Sequence, residues 1–165
     1  MRWTVLIVCL AWLPMLNAAS LLVDDAELEL RAQTRACYMG FIKLYDIDYL
    51  VDGDEARCVR VSYLRGFSAD QLAKGTSKVF AERHGDAVAD RYLDLLRDIN
   101  AAYEPVDNGD TYTYCVNEAA GGGLLLRDGR PVKRVGSDDF AERFMQIWVQ
   151  GESSDGKPDW NFRSC

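Results

Sequence analysis

The first clear hydrophobic pattern in the chain is typical of strands. Residues 36–51 form a long apolar run whose second half, YDIDY, alternates large apolar and acidic side chains. Gly40 interrupts the run and predicts a bulge or a bend. After the turn signal Asp52-Gly53, residues 57–64 alternate in the same way. The pattern therefore predicts a long strand followed by its antiparallel partner.

The middle of the chain and its last third have a helical pattern instead. Ser68 followed by Gln71 forms a capping box that opens a helix, and Gly85 lies just beyond its end. A second helix is predicted over residues 86–103, because apolar side chains recur there every three or four residues. A third is predicted over residues 137–150. Near the start, the stretch AELELRAQ fits either a helix or a strand.

Between these helices lie the signals of a second hairpin region. Residues 111–117 alternate as a strand, a glycine loop at 121–123 follows, and Asp128-Gly129 signals another tight turn. The order of elements is therefore strands, helices, strands and a helix. That order predicts an α+β fold in which a layer of helices covers one face of an antiparallel sheet.

The N-terminus has the features of a secretory signal peptide. Arg2 precedes an apolar run over residues 4–16 that is short for a membrane span, and the small residues NAAS follow it. We therefore predict a signal peptide over residues 1–19 and export, most simply to a bacterial periplasm; a buried helix or a retained anchor is the alternative. The remaining residues 20–165 predict one domain, with its core over about 28–152 and a polar tail that is loosely packed unless Cys165 holds it.

Charge narrows the range of partners. The formal net charge is -7, and removing Arg2 with the signal peptide makes the mature chain more negative by one. A domain this acidic, without a cluster of Lys and Arg, is not expected to bind nucleic acid or anionic membrane surfaces. No later segment is apolar enough to predict a membrane span. An anionic ligand would have to be bound by a few local cations against the negative charge of the domain.

The cysteines of the mature chain indicate disulfides rather than a metal site. Cys37, Cys58, Cys115 and Cys165 allow up to two disulfides, and three full pairings are open. Alternatively, Cys37 and Cys115 are small buried residues inside strands. The chain has no CxxC pair and a single histidine, so we predict neither a metal site nor a cofactor.

Arg35 is the candidate functional residue that the local pattern offers. It stands at the entrance of an apolar strand, where its planar guanidinium is suited to a carboxylate or phenolate ligand. The alternative is a surface arginine that pairs with Glu27 or Glu29. The spacing of residues alone does not choose between them.

Three sequence blocks resemble the chalcone isomerase-like family, in its bacterial secreted branch. The blocks are GFIKLYDIDYL, VSYLRGFSADQL and the segment from NGDTYTYCVN through LLLRDGRPVKRVGSDDFAERFMQIWVQGE. Their order and spacing over residues 28–152 are similar to those of the family, although no single motif is diagnostic. The resemblance implies an α+β open-faced sandwich, in which a large antiparallel sheet under one layer of helices encloses an apolar cleft.

The resemblance also implies a chemistry for that cleft. The plant enzymes close a chalcone to a flavanone, and a cleft arginine stabilises the phenolate and the developing enolate charge. Non-catalytic relatives bind fatty acids there, with the arginine on the carboxylate. Arg35 matches this arginine, and Tyr45 falls where the enzymes have a threonine. Phe67 falls near their cleft tyrosine and Lys74 near their cleft asparagine, so only one of four polar residues is kept.

These residues predict binding rather than catalysis. We expect a non-catalytic exported protein that binds a small apolar or amphipathic molecule, fatty-acid-like or phenolic, at Arg35, Tyr45, Phe67 and Lys74. One alternative is an isomerase or lyase acting on an enone-like substrate, for which Arg35 and Tyr45 are the catalytic candidates. Another is a structural or interaction protein of the cell envelope, in which side chains such as Met39, Phe41 and Tyr45 fill the cleft.

Overall fold

The computed structural model describes residues 28–53, 56–117, 121–162 and 165. The signal peptide predicted over residues 1–19 lies outside the described residues. Within those ranges the chain forms eight strands and four helices. In chain order they are β1 (Glu29–Tyr38), β2 (Ile42–Asp52), β3 (Ala56–Tyr63), α1 (Ala69–His84), α2 (Asp86–Arg91), α3 (Leu93–Asn100), β4 (Thr111–Asn117), β5 (Gly123–Arg127), β6 (Arg130–Val135), α4 (Asp138–Met145), β7 (Val149–Glu152) and β8 (Pro158–Trp160).

Strands β1 to β6 form one antiparallel sheet in which each strand pairs with the next strand of the chain. Helices α1 to α4 pack against one face of this sheet. The core between the two layers brings inward-facing strand residues such as Ile47 and Val59 against helix residues such as Phe80, Ile99 and Phe140. The predicted α+β class, with helices on one face of a large antiparallel sheet, is confirmed.

The single long strand predicted over residues 36–51 is wrong, because the chain reverses direction inside it. Met39 and Gly40 have φ angles of 53° and 81° and form the turn between β1 and β2. Two successive positive φ angles are typical of tight hairpin turns, whose twist matches that of the flanking strands. Gly40 therefore marks a hairpin rather than a bulge. The stretch AELELRAQ, which also fits a helix, contributes the start of β1.

The first predicted helix is confirmed, and the second is divided. Ser68 and Gln71 form the expected capping box of α1, and the backbone N–H of Gly85 closes the helix by donating to Ala81. The apolar stripe over residues 86–103 belongs to two helices, α2 and α3, separated at Tyr92. None of the helices in the described part of the chain is long and apolar enough to cross a membrane.

Two disulfides join the cysteines, in one of the three pairings that the sequence leaves open. Cys58 on β3 lies directly opposite Cys115 on β4, and the two are bonded on the sheet face away from the helices. Cys37 on β1 is bonded to Cys165. Cys37 and Cys115 are therefore disulfide cysteines rather than isolated buried residues.

The polar C-terminal tail is held against the domain. Strands β7 and β8 form a small antiparallel sheet, and Trp160 and Phe162 pack against the main core. The bond between Cys165 and Cys37 attaches the last residue to the first strand. The tail thus supplies side chains to the region between α1 and the sheet.

Candidate binding cavity

An apolar cavity lies between α1 and the inner face of the sheet. Its volume is about 180 Å³. Strands β2, β3, β4 and β5 form its floor, α1 forms one wall, and the residues after α4 close another. Aromatic rings supply much of the lining: Tyr45, Tyr63, Phe67, Tyr103, Tyr112, Tyr114 and Trp148. None of the described residues that line it is charged.

Strand alternation explains why tyrosines line the floor. Successive side chains of a strand point to opposite faces, so Tyr45 lies on the same face of β2 as the core residue Ile47. Tyr45 pairs directly with Tyr63 of β3, and their ring centroids are 6.0 Å apart. Tyr63 in turn contacts Phe67 edge-on at 5.7 Å. These rings form a continuous aromatic surface below α1.

Three of the cavity hydroxyls already have protein partners. Tyr103 accepts a hydrogen bond from the hydroxyl of Thr76 at 3.2 Å, and Tyr112 accepts one from the backbone N–H of Glu104 at 2.9 Å. Tyr114 donates to a backbone carbonyl of α4 at 3.3 Å. Burial raises the pKa of Tyr103 to about 12. These tyrosines serve the packing of the core.

The hydroxyls of Tyr45 and Tyr63 have no hydrogen-bond partner within the described part of the chain. Burial raises the pKa of both phenols, so each presents a neutral hydroxyl that can donate or accept. Two free phenols on an apolar wall are therefore the polar groups that a ligand in this cavity would meet.

Helix α1 supplies the wall opposite Tyr45. Gln71, Leu72, Gly75, Thr76 and Val79 face the cavity, because they recur at helical spacing along one side of α1. Gly75 leaves room there: an added Cβ at this position would meet no heavy atom within 4 Å. The wall is thus open at the middle of the helix.

The structure brings together two of the four residues predicted from the sequence. Tyr45 and Phe67 line the cavity. Arg35 does not, because it is the cross-strand partner of Asp46, whose side chain points away from the helices. Its Nη2 donates to Asp46 at 2.8 Å, and Nε makes a second bond to the same carboxylate. Arg35 is therefore an ion-paired residue on the outer face of the sheet, away from the cavity.

Lys74 also lies away from the cavity. Its side chain is exposed and pairs with Asp70 one turn earlier, at 2.8 Å. It follows Gln71 and precedes Gly75 on α1, but the helical rotation directs it to solvent. Lys74 thus lies on the helix that lines the cavity, but on the side of that helix that faces solvent.

A second cavity of about 370 Å³ adjoins the first. The two share Tyr45, Val79, Ile147 and Trp148 as a common wall. Its remaining lining comes from the last turn of α1 and from the C-terminal tail: Glu82, Arg83, Asn161 and Phe162. The tail therefore completes a second compartment along the same helix.

Several of these residues were missed from the sequence. Tyr63 was recognisable, because it shares its side of β3 with Val59 and Val61. Arg83 follows Gly75 and Val79 at intervals of four, which places it on the same side of α1. Asn161 gave no sequence signal, since only the tertiary structure brings the tail to the helix.

Metal ligands are not assembled elsewhere in the described ranges. They contain no group of three or more His, Cys, Asp or Glu side chains that could hold a metal ion. The single histidine, His84, ends α1: its Nε2 lies 2.9 Å from the carbonyl of Arg143, and its ring packs on Phe80. This histidine is engaged in joining α1 to α4.

The fold is similar to that of a plant protein of known structure. No family model matches the sequence, and no curated protein matches it significantly. A crystal structure of a fatty-acid binding protein from Arabidopsis thaliana matches with a TM-score of 0.58 and 10% sequence identity. The match covers 76% of this chain and 81% of the plant chain. The chain therefore has the chalcone isomerase-like fold.

Proposed function

We propose that this protein is an exported, non-catalytic binding protein that holds a small apolar or amphipathic molecule between α1 and the sheet. The observation that carries the proposal is the uncharged aromatic cavity with two unpaired phenols, Tyr45 and Tyr63. Ligand pockets are commonly lined by apolar and aromatic groups with a few convergent polar ones. The structurally similar plant protein is a fatty-acid binding protein, which supports an apolar ligand.

The cavity volume limits the ligand. About 180 Å³ is close to the roughly 150 Å³ of an engineered apolar cavity that binds benzene. It is smaller than the roughly 300 Å³ at which pockets for drug-sized molecules begin. A single aromatic ring or part of an acyl chain fits the first cavity without movement of the protein.

The lining favours binding over ring closure. The resemblance implies that closure of a chalcone depends on a cleft arginine that stabilises negative charge, and no charged side chain is among the described lining residues. An alternative structural role with a filled cleft is disfavoured, because Met39 is 70% and Phe41 71% exposed at the hairpin turn. Neither side chain occupies the space below α1.

Two features support export. The sequence begins with an apolar segment followed by small residues, and both disulfides join cysteines of the mature chain. Disulfides persist mainly in oxidising compartments. Fractionation of the native host tests this part: the protein is expected in the periplasmic or extracellular fraction, without residues 1–19. Recovery of the uncleaved chain in the cytoplasm would refute export.

The binding proposal is tested by changing the size of the cavity at one residue. Val61 is buried on the cavity floor. Val61→Phe fills the space, whereas Val61→Ala enlarges it. Isothermal titration with para-cresol is expected to show binding to the wild type, little to Val61→Phe, and preference for larger alkylphenols in Val61→Ala.

The matched pair also separates binding from stability. Both variants alter core packing, but only one of them closes the cavity, so circular dichroism melts provide the folding control. Native mass spectrometry of protein from its own host is expected to show a bound apolar molecule. Failure of the wild type to bind any apolar probe, or unchanged binding by a folded Val61→Phe, would refute the proposal.

A further inference from the structure

Arg83 is the cation of α1 that lines the second cavity, next to the proposed ligand site. It follows Gly75 by eight residues on the same side of the helix, which corresponds to about 12 Å along the helix axis. Its side chain is half-buried and lines the second cavity. Arg83 and the α1 residues that line the first cavity thus lie along one side of the same helix.

The guanidinium of Arg83 is held by an amide. Its Nη1 donates to Oδ1 of Asn161 at 3.2 Å. Asn161 is fixed in turn, since its side-chain nitrogen lies 3.3 Å from the carbonyls of both Gln146 and Ile147. Its backbone N–H donates to Trp148 at 2.9 Å. The tail therefore positions Arg83 without neutralising it.

Arg83 makes no ion pair with any residue in the described ranges. The adjacent acid, Glu82, lines the same cavity but is paired with Lys78 one turn earlier on α1. Arg35, by contrast, is occupied by the carboxylate of Asp46. Most of the donors of Arg83 are therefore available to an external anion, and a planar guanidinium suits a carboxylate.

We propose that the ligand is an anionic amphiphile whose carboxylate binds Arg83 and whose apolar part extends past Tyr45 and Trp148 into the first cavity. This inference rests on the proposed binding function. Tyr45 and Trp148 belong to the wall that the two cavities share, and both are half-buried. A ligand spanning about two turns of helix reaches from the guanidinium to the open wall at Gly75.

The test compares two ligands of equal chain length and different head group. Decanoate and decan-1-ol are titrated by calorimetry into the full chain, its Arg83→Gln and Arg83→Lys variants, and Arg35→Gln as the matched control. The wild type is expected to bind decanoate about ten- to one-hundredfold more tightly than decanol, the range of hydrogen bonds to charged groups. Arg83→Gln removes that preference, Arg83→Lys restores part of it, and Arg35→Gln keeps it.

Each contrary result has a distinct meaning. Equal binding of the two molecules by the wild type, or a preference that Arg83→Gln leaves intact, refutes the assignment while the binding function stands. If Arg35→Gln loses the preference for decanoate over decanol, the anion is bound by Arg35 and the assignment to Arg83 is refuted. Equal weakening of decanoate and decanol in Arg83→Gln shows a purely structural role. A wild-type protein that binds neither molecule overturns the proposed function itself.

Discussion

Gly75 provides a quantitative test of the open wall in α1. It lies in the interior of the helix, where glycine is less favourable than alanine by about 0.8–1.0 kcal/mol. An added Cβ would meet no heavy atom within 4 Å, so no steric penalty offsets this gain. Gly75→Ala is therefore expected to increase the free energy of unfolding by about 1 kcal/mol. For a domain of this size, that corresponds to a rise in Tm of about 2–4 °C.

Urea denaturation followed by far-ultraviolet circular dichroism measures this change, with an unchanged m-value as evidence that only stability differs. Lys74→Ala is the neighbouring control and should stay within about 0.5 kcal/mol of the wild type. Gly85→Ala is the opposite control, because a φ of 86° strains any residue with a side chain, so it should destabilise. Destabilisation by Gly75→Ala would show that the space above this position is closed, and would contradict the cavity as described.

Three further predictions follow from the same structure. Replacing Cys37 and Cys165 by serine removes a disulfide that spans 128 residues of the chain. The loop-closure model predicts a loss of up to about 5 kcal/mol in the free energy of unfolding, and disulfides typically contribute about 2–4 kcal/mol. An unchanged urea midpoint would contradict the bond. The raised pKa of Tyr103, about 12 against 10.0, adds stability that is full below pH 10 and is lost as pH rises towards 12. Urea denaturation at several pH values between 10 and 12 should show that this phenol lowers the free energy of unfolding by up to about 1.4 kcal/mol per pH unit. The variant Tyr103→Phe should lack this contribution. Arg35→Ala frees Asp46, whose pKa the pairing with Arg35 lowers. The free energy of unfolding of this variant should therefore fall less than that of the wild type on acidification below about pH 5, where an unpaired aspartate begins to be protonated. Para-cresol binding should be unchanged, and weaker binding would place Arg35 at the site.

Local signals determined the helix that forms the cavity wall. Ser68 and Gln71 satisfy backbone groups at the start of α1, and Gly85 supplies the conformation that ends it. These effects act over a few residues, so the sequence shows them directly. The reversal at Met39-Gly40 is equally local, but a glycine within an apolar run is compatible with a bulge, a bend or a turn. Pairing between β1 and β2 decides in favour of the turn.

The side of the sheet on which a residue lies was not determined locally. The alternation of side chains along a strand shows which residues share a face with Arg35 or with Asp46. Which of the two faces lies against the helices depends on the strand register and on the bulge after Ala36. Of the residues named by the sequence resemblance, Tyr45 and Phe67 line the cavity. The resemblance placed Arg35 at the cleft, whereas in this chain the residue is ion-paired on the opposite face.

By itself, the sequence determined the α+β class and the main helix, because these follow from periodicity and capping. Only the tertiary structure chose the disulfide pairing, which requires Cys58 to lie opposite Cys115 and the tail to reach Cys37. The same tail brings Asn161 to Arg83, residues 78 positions apart in the chain. A contact between segments so distant depends on how the whole chain packs, and no local pattern encodes it.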